Sequence, residues 1–215
     1  MSFSLVVAGR KGSGKSSLIQ NEILPLLPRP VYIFDSMREY SGTVFGSVRE
    51  CAELLKSSPE KLESLVALFY LKPTKKDLQD GQLSMIDAVF ELGDMTGGSC
   101  IIEEAWHYST PYSQPYPFKR ALLSGRHFAQ GDGFSTVFVS QRIANLHRDT
   151  SSQADSIVTF RQTEPRDLEY LARREGSAEI VRELEKYHFT IFGELPEELE
   201  SLYKNKFYTT NDRTS

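Results

Sequence analysis

The chain has 215 residues, 25 Lys and Arg against 29 Asp and Glu, a net charge of −4, and 40% hydrophobic residues including 13 Phe and 10 Tyr. That composition excludes a disordered or collagen-like chain, and the length suits one core rather than two domains and a linker. The two cysteines, Cys51 and Cys100, cannot build a disulfide framework or a four-thiolate zinc site; both read as small buried hydrophobes in a chain expected to be intracellular.

In chain order, residues 3–8 form a first apolar strand. It has no cationic n-region, long h-region or cleavage site, so no signal peptide is expected, and no stretch approaches the ~20 apolar residues of a membrane helix. After a Gly-rich turn, residues 16–24 read as a helix. Apolar, β-branched and aromatic runs at 31–34, 66–70, 100–102, 136–139, 157–160 and 189–192 are further strands. Their apolarity is continuous rather than alternating, which points to strands covered on both faces and so to a mainly parallel central sheet. Residues 111–118, with Pro111, Pro115 and Pro117, are expected to be loop. Leu168 and Leu171 place a helix over 167–174, and Ile180, Val181, Leu184 and Tyr187 place another over 178–187. The alternation of strands and helices makes the class α/β: a single domain over 1–204 and a polar tail at 205–215.

The turn after the first strand is Gly9, Arg10, Lys11, Gly12, Ser13, Gly14, Lys15, Ser16, a full G-x-x-x-x-G-K-[ST] phosphate loop followed by Ser17. Glycines let consecutive backbone N–H groups turn inward around a phosphate, and the following helix adds its positive end. Lys15 then reaches the β and γ phosphates and the Ser16 hydroxyl ligates magnesium, so ATP and Mg2+ are the expected ligands.

Such a site needs an acid for the metal and a base for water. The run through Cys100, Ile101 and Ile102 ends in Glu103 and Glu104. Glu103 is the candidate magnesium ligand and Glu104 the candidate base. The run at 136–139 ends in Ser140, Gln141 and Arg142. Gln141 is placed to hydrogen-bond the γ phosphate or the attacking water. Charge is uneven: Lys119, Arg120, Arg126, Arg142 and Arg148 face one acid, Asp132, between 118 and 148, while acids dominate 164–200.

On the phosphate loop, the acid-ended strand, the stretch Leu122, Leu123, Ser124, Gly125, Arg126, His127, and residues 140–142 with 153–161, the chain resembles the FtsK/HerA superfamily of P-loop ATPases. Within it, the likeness is to the genome-packaging ATPases of tailless, membrane-containing viruses. The resemblance implies a RecA-like core acting as a homo-oligomeric ring of five or six subunits that pumps double-stranded DNA into a preformed capsid. It sets Glu104 as catalytic acid, Gln141 as sensor, and an arginine acting on a neighbour's γ phosphate; the family more often has Asp where Glu103 stands. Arg126 is the first choice for that arginine, with Arg120 and Arg142 as competitors. Lys119, Arg120 and Arg148 are candidate contacts to the DNA backbone, whose recognition needs charge without base readout. Capsid or membrane-portal proteins are further expected partners. The implied location is the host-cell interior or a packaging vertex of the virion. An alternative is a small nucleotide or metabolite kinase, with Arg173 and Arg174 in a lid over the phosphates; a third reading is a nucleotide-dependent switch.

Overall fold

The computed structural model describes residues 2–70, 82–176, 178–204 and 208–209. Among the described residues nine strands form one sheet: β1 (Ser4–Ala8), β2 (Val31–Phe34), β3 (Thr43–Val44), β4 (Val66–Phe69), β5 (Gly98–Ile102), β6 (Phe134–Ser140), β7 (Ser156–Phe160), β8 (Phe189–Gly193) and β9 (Tyr208–Thr209). Their spatial order is β3-β4-β2-β5-β6-β1-β7-β8-β9. Every pairing is parallel except β7 with β8. All seven strands expected from the sequence are present. β3 and β9, of two residues each, were too short to leave an apolar run, and β9 places part of the expected polar tail against β8.

The continuous apolarity of the strands has the expected cause, two covered faces. Val6, Ala8, Tyr32, Phe34, Cys100, Ile102 and Phe138 join one buried cluster. Leu5, Val7, Val31, Ile33, Ile101 and Val137, the alternate residues, join the other. The first cluster is closed by α2 (Val48–Ser57), α3 (Gln82–Thr96), α4 (Tyr116–Ser124), α6 (Pro165–Glu175) and α7 (Glu179–Glu183). The second is closed by the helical run after the phosphate loop, through Leu18, Ile19 and Ile23, and by Leu195, Leu199 and Leu202. Cys51 and Cys100 are both buried within the first cluster, and burial pushes the Cys51 thiol up to about 12.

Four expected boundaries shift. Only Lys15–Leu18, α1, is regular α-helix; Ile19–Ile23 widens into a π turn before a 3-10 turn at Leu24–Leu26. Pro25 is the reason, because it brings no N–H and its ring crowds the carbonyl four residues back. The Pro-rich segment is loop only to Pro115: α4 begins at Tyr116 and holds Pro117 in its first turn, where a missing N–H costs nothing. The strand expected over 100–102 begins two residues earlier, at Gly98, and after its end at Ile102 the chain is turned by Glu104 with φ 49. The helix expected over 178–187 stops at Glu183: Leu184 is extended at ψ 133, and Tyr187 has φ 70 and is exposed. Helices α2, α3 and α4, and the short α5 (Arg148–Ser152) and α8 (Ser201–Lys204), were not foreseen.

Candidate active site

In a parallel sheet, ligands are held where strands end and the chain leaves for the opposite edge. Here β1, β5 and β6 end side by side, and the residues just after each surround one cleft of about 430 Å³ lined by Lys11, Gly12, Lys15, Ser16, Ser36, Met37, Glu39, Glu103, Glu104, Trp106, His107 and Gln141.

The phosphate loop leaves β1 at Gly9, whose N–H donates to the Ser140 carbonyl at 3.1 Å, and Ser13 N–H closes the loop onto the Arg10 carbonyl at 3.1 Å. A Cβ on Gly9 would stand 2.7 Å from Ser13 Oγ and 2.8 Å from Phe160 Cβ, so only glycine fits. Gly14, at φ 106, takes the left-handed conformation needed to enter α1. Lys15 Nζ donates to the Gly9 carbonyl at 2.6 Å and the Arg10 carbonyl at 3.2 Å. Burial pulls its ammonium below the usual lysine value, opposed by the Glu104 and Glu103 carboxylates. The Ser13 hydroxyl is buried with no partner among the described residues. A loop with a side-chain cation held on weak carbonyl acceptors and an orphaned hydroxyl fits an anion with many oxygens.

The two acids diverge. Glu103, 6% exposed, accepts a hydrogen bond from the Tyr40 hydroxyl, and burial pushes its carboxyl up to about 7. Tyr40 is itself held through its N–H by Asp35 Oδ2 at 3.0 Å, while Asp35 Oδ1 takes the Glu39 N–H at 3.0 Å. This Asp35 loop at the end of β2 went unread in the sequence, although an acid directly after an apolar run is the same signal that marked Glu103. Glu104 accepts from Gln141 Nε2 at 2.8 Å on one oxygen and from the Trp106 indole N–H on the other. Trp106 stacks on His107 with ring centroids 3.9 Å apart. Burial lowers the His107 imidazole, with Glu104 opposing.

Magnesium in such sites is held by oxygens, several of them from phosphate and water rather than from an all-protein cage. Ser16 and Glu103 line the same cleft and offer oxygen ligands, so the residues fit the ion. Among the described residues no group of three or more His, Cys, Asp and Glu is placed to hold a metal by itself.

The basic residues separate by what already holds them. Arg142 Nε pairs with the buried Asp167 at 3.0 Å, and Asp167 also accepts the Ala144 N–H at 2.9 Å. Arg120 pairs with Asp94 at 2.5 Å and lies over the Phe128 ring at 4.7 Å. Arg126 is exposed and donates to His127 Nε2 at 3.1 Å. It lines a cavity with Ser4 and Phe134, which begin β1 and β6, so it sits at the end of the strands opposite the phosphate loop. Arg10 donates to Thr163 Oγ1 at 3.1 Å. Lys119 is exposed on α4, and Arg148 is exposed beside a cavity of about 570 Å³ that it shares with Pro111, Tyr170, Arg173 and Arg174. Arg173 and Arg174 are therefore not a lid over the phosphates: Arg173 pairs with Glu169 at 2.5 Å and Arg174 donates to the Ser151 and Ala154 carbonyls.

No protein-family model and no curated protein sequence matches the chain. Solved structures do. The genome packaging NTPase B204 from Sulfolobus turreted icosahedral virus 2 in complex with ATP-gammaS superposes with a TM-score of 0.68 at 25% identity, covering 89% of this chain and 92% of that one. The same protein in complex with AMPPCP gives 0.67 at 26% identity, covering 89% and 92%. VirB4 of Thermoanaerobacter pseudethanolicus shares the fold, with a TM-score of 0.50 at 12% identity over 85% of this chain and 84% of that one. The resemblance drawn from motifs is thus also a resemblance of structure, and the core is the RecA-like P-loop fold. Among the described residues no helix is long and apolar enough to cross a membrane.

Proposed function

We propose that the chain is an ATP-hydrolysing motor that moves double-stranded DNA, of the kind that pumps a viral genome into a preformed capsid, working as a homo-oligomeric ring. The observation that carries this reading is the contact between Glu104 and Gln141, a carboxylate and an amide from two strand ends, in the same cleft as Lys15 and Ser16. The structural likeness to a genome packaging NTPase crystallised with ATP analogues supports it.

Phosphate oxygens are charged acceptors and outcompete the two carbonyls that now hold Lys15, so its ammonium turns to the β and γ phosphates. Ser16 and Glu103 would hold magnesium, which supplies Lewis-acid neutralisation of the phosphate charge. Each Glu104 oxygen has one donor among the described residues, and a carboxylate has about four acceptor sites. It therefore retains capacity to orient a water and take its proton as the water oxygen bonds to the γ phosphorus, the β–γ bridging bond breaks, and ADP leaves with the electron pair. Gln141 fixes the rotamer of that base.

β1 has five residues at ~3.3 Å each, so the opposite end of the strand lies on the order of 16 Å away, and Arg126 serves a neighbour's γ phosphate rather than its own. Lys119 and Arg148 are the proposed backbone contacts to DNA; Arg120 is engaged by Asp94. The test is ATP turnover with and without double-stranded DNA, with mass measured in ATP. DNA-stimulated turnover in a ring is expected. Phosphorylation of a small acceptor, or turnover indifferent to DNA, would overturn the reading.

A further inference from the structure

The phosphate loop also dictates which way the rest of a nucleotide lies. Glu104 and Gln141 stand on the β5–β6 side of β1. The reacting phosphate faces them, which leaves the other side, toward β7 and β8, for the base. On that side the structure holds an aromatic arrangement that the phosphate chemistry leaves unused. Tyr187, just before β8, is 60% exposed and has φ 70. A bulky residue with positive φ is held there against its own preference, a state that clusters at ligand sites. Tyr187 Cδ1 lies 3.3 Å from the point where a Cβ on Gly14 would stand, and Phe160 Cε1 lies 3.4 Å from the same point. Phe160 is buried and packs edge-on against Phe189 at 5.4 Å between centroids. An aromatic ring is thus set beside the glycine that precedes Lys15, with a buried aromatic pair behind it and most of its surface in water. The ring face accepts a partner already: the Lys186 ammonium lies 4.7 Å over its centroid.

We propose that Tyr187 is the platform on which the base of the bound nucleotide stacks, a role that rests on the loop being a nucleotide site. Folding does not explain the ring, since an exposed tyrosine gains little from burial and its backbone costs energy. Stacking uses the π face that every base has, so the platform adds affinity without reading the base.

The test is equilibrium binding to the full chain of two probes, ATP and inorganic tripolyphosphate, the second carrying the phosphates without a base. Tyr187→Ala is expected to weaken ATP about tenfold, the order of one lost base–aromatic stack, and to leave tripolyphosphate unchanged. Tyr187→Phe, which keeps the ring, is expected to bind both as the parent does. Unchanged ATP affinity in Tyr187→Ala would overturn the platform, and so would an equal loss for both probes, which would mark the ring as a prop for the loop. A parent chain that binds neither probe would overturn the nucleotide site itself.

Discussion

The central strands differ at their two ends in how the polar side chains are held. At the end where β1, β5 and β6 finish, Lys15, Glu103, Glu104 and Gln141 are each engaged by groups of the same chain. At the end where they begin, Arg126 is exposed, with the neighbouring His127 ring as its hydrogen-bond partner. The first end is organised in advance for chemistry on a bound phosphate. The second presents a charge with no counter-anion among the described residues. The contrast also ranks the arginines, because Arg120 and Arg142 are paired with acids inside the fold and Arg126 has no acid partner among the described residues.

The largest expected effect falls on the phosphate-loop end alone. Lys15→Ala removes the cation that spans the loop and the phosphates, and nucleotide binding should be lost in direct titration; retained affinity would remove the basis of the site. Arg126→Ala should leave ATP affinity intact and reduce turnover of the assembled ring by ~10³, the usual contribution of an arginine acting in trans. Full turnover would place the finger elsewhere, and Arg142→Ala is the informative comparison because it disturbs Asp167 as well. Glu104→Gln keeps the side-chain shape and removes the base; turnover should fall by about 10²–10³ with ATP binding retained, measured in single-turnover assays. Tyr40→Phe leaves Glu103 short of its donor and should cost about 1–2 kcal/mol of stability, seen as a lower denaturant midpoint at unchanged slope. Smallest of all, replacing Lys119 and Arg148 together should flatten the salt dependence of DNA affinity by about one unit of slope per contact.

The same contrast explains what the sequence disclosed. The phosphate loop was legible because its chemistry is local: eight consecutive residues carry the turn, the cation and the hydroxyl. Glu104 and Gln141 were legible as strand ends, but their contact bridges 37 positions and only the order β5-β6 brings it about. Tyr40 on Glu103 bridges 63 positions, from a loop with no regular structure, so no periodicity pointed to it. Strands showed themselves because two covered faces give unbroken apolar runs. Helix α2 did leave a signal that went unused, a capping box in which Ser47 and Glu50 satisfy each other's backbone N–H groups. Tyr187 was misplaced because the apolar spacing from Ile180 runs on past Leu184, while the exposed ring shows that the buried face had already ended.

The strand order has a bearing on how the protein is made. β1 emerges first, yet its two neighbours are β6 and β7, and the Ser4 hydroxyl meets that of Thr136 across 132 positions of chain. At about 5–20 residues per second, synthesis of that interval takes on the order of 10 s. For that time the apolar first strand lacks both of its neighbours, and the Gln141 side of the nucleotide cleft does not exist. The phosphate loop is therefore among the first parts translated and becomes competent only much later, so a chain cut short before β6 carries the complete motif and no site.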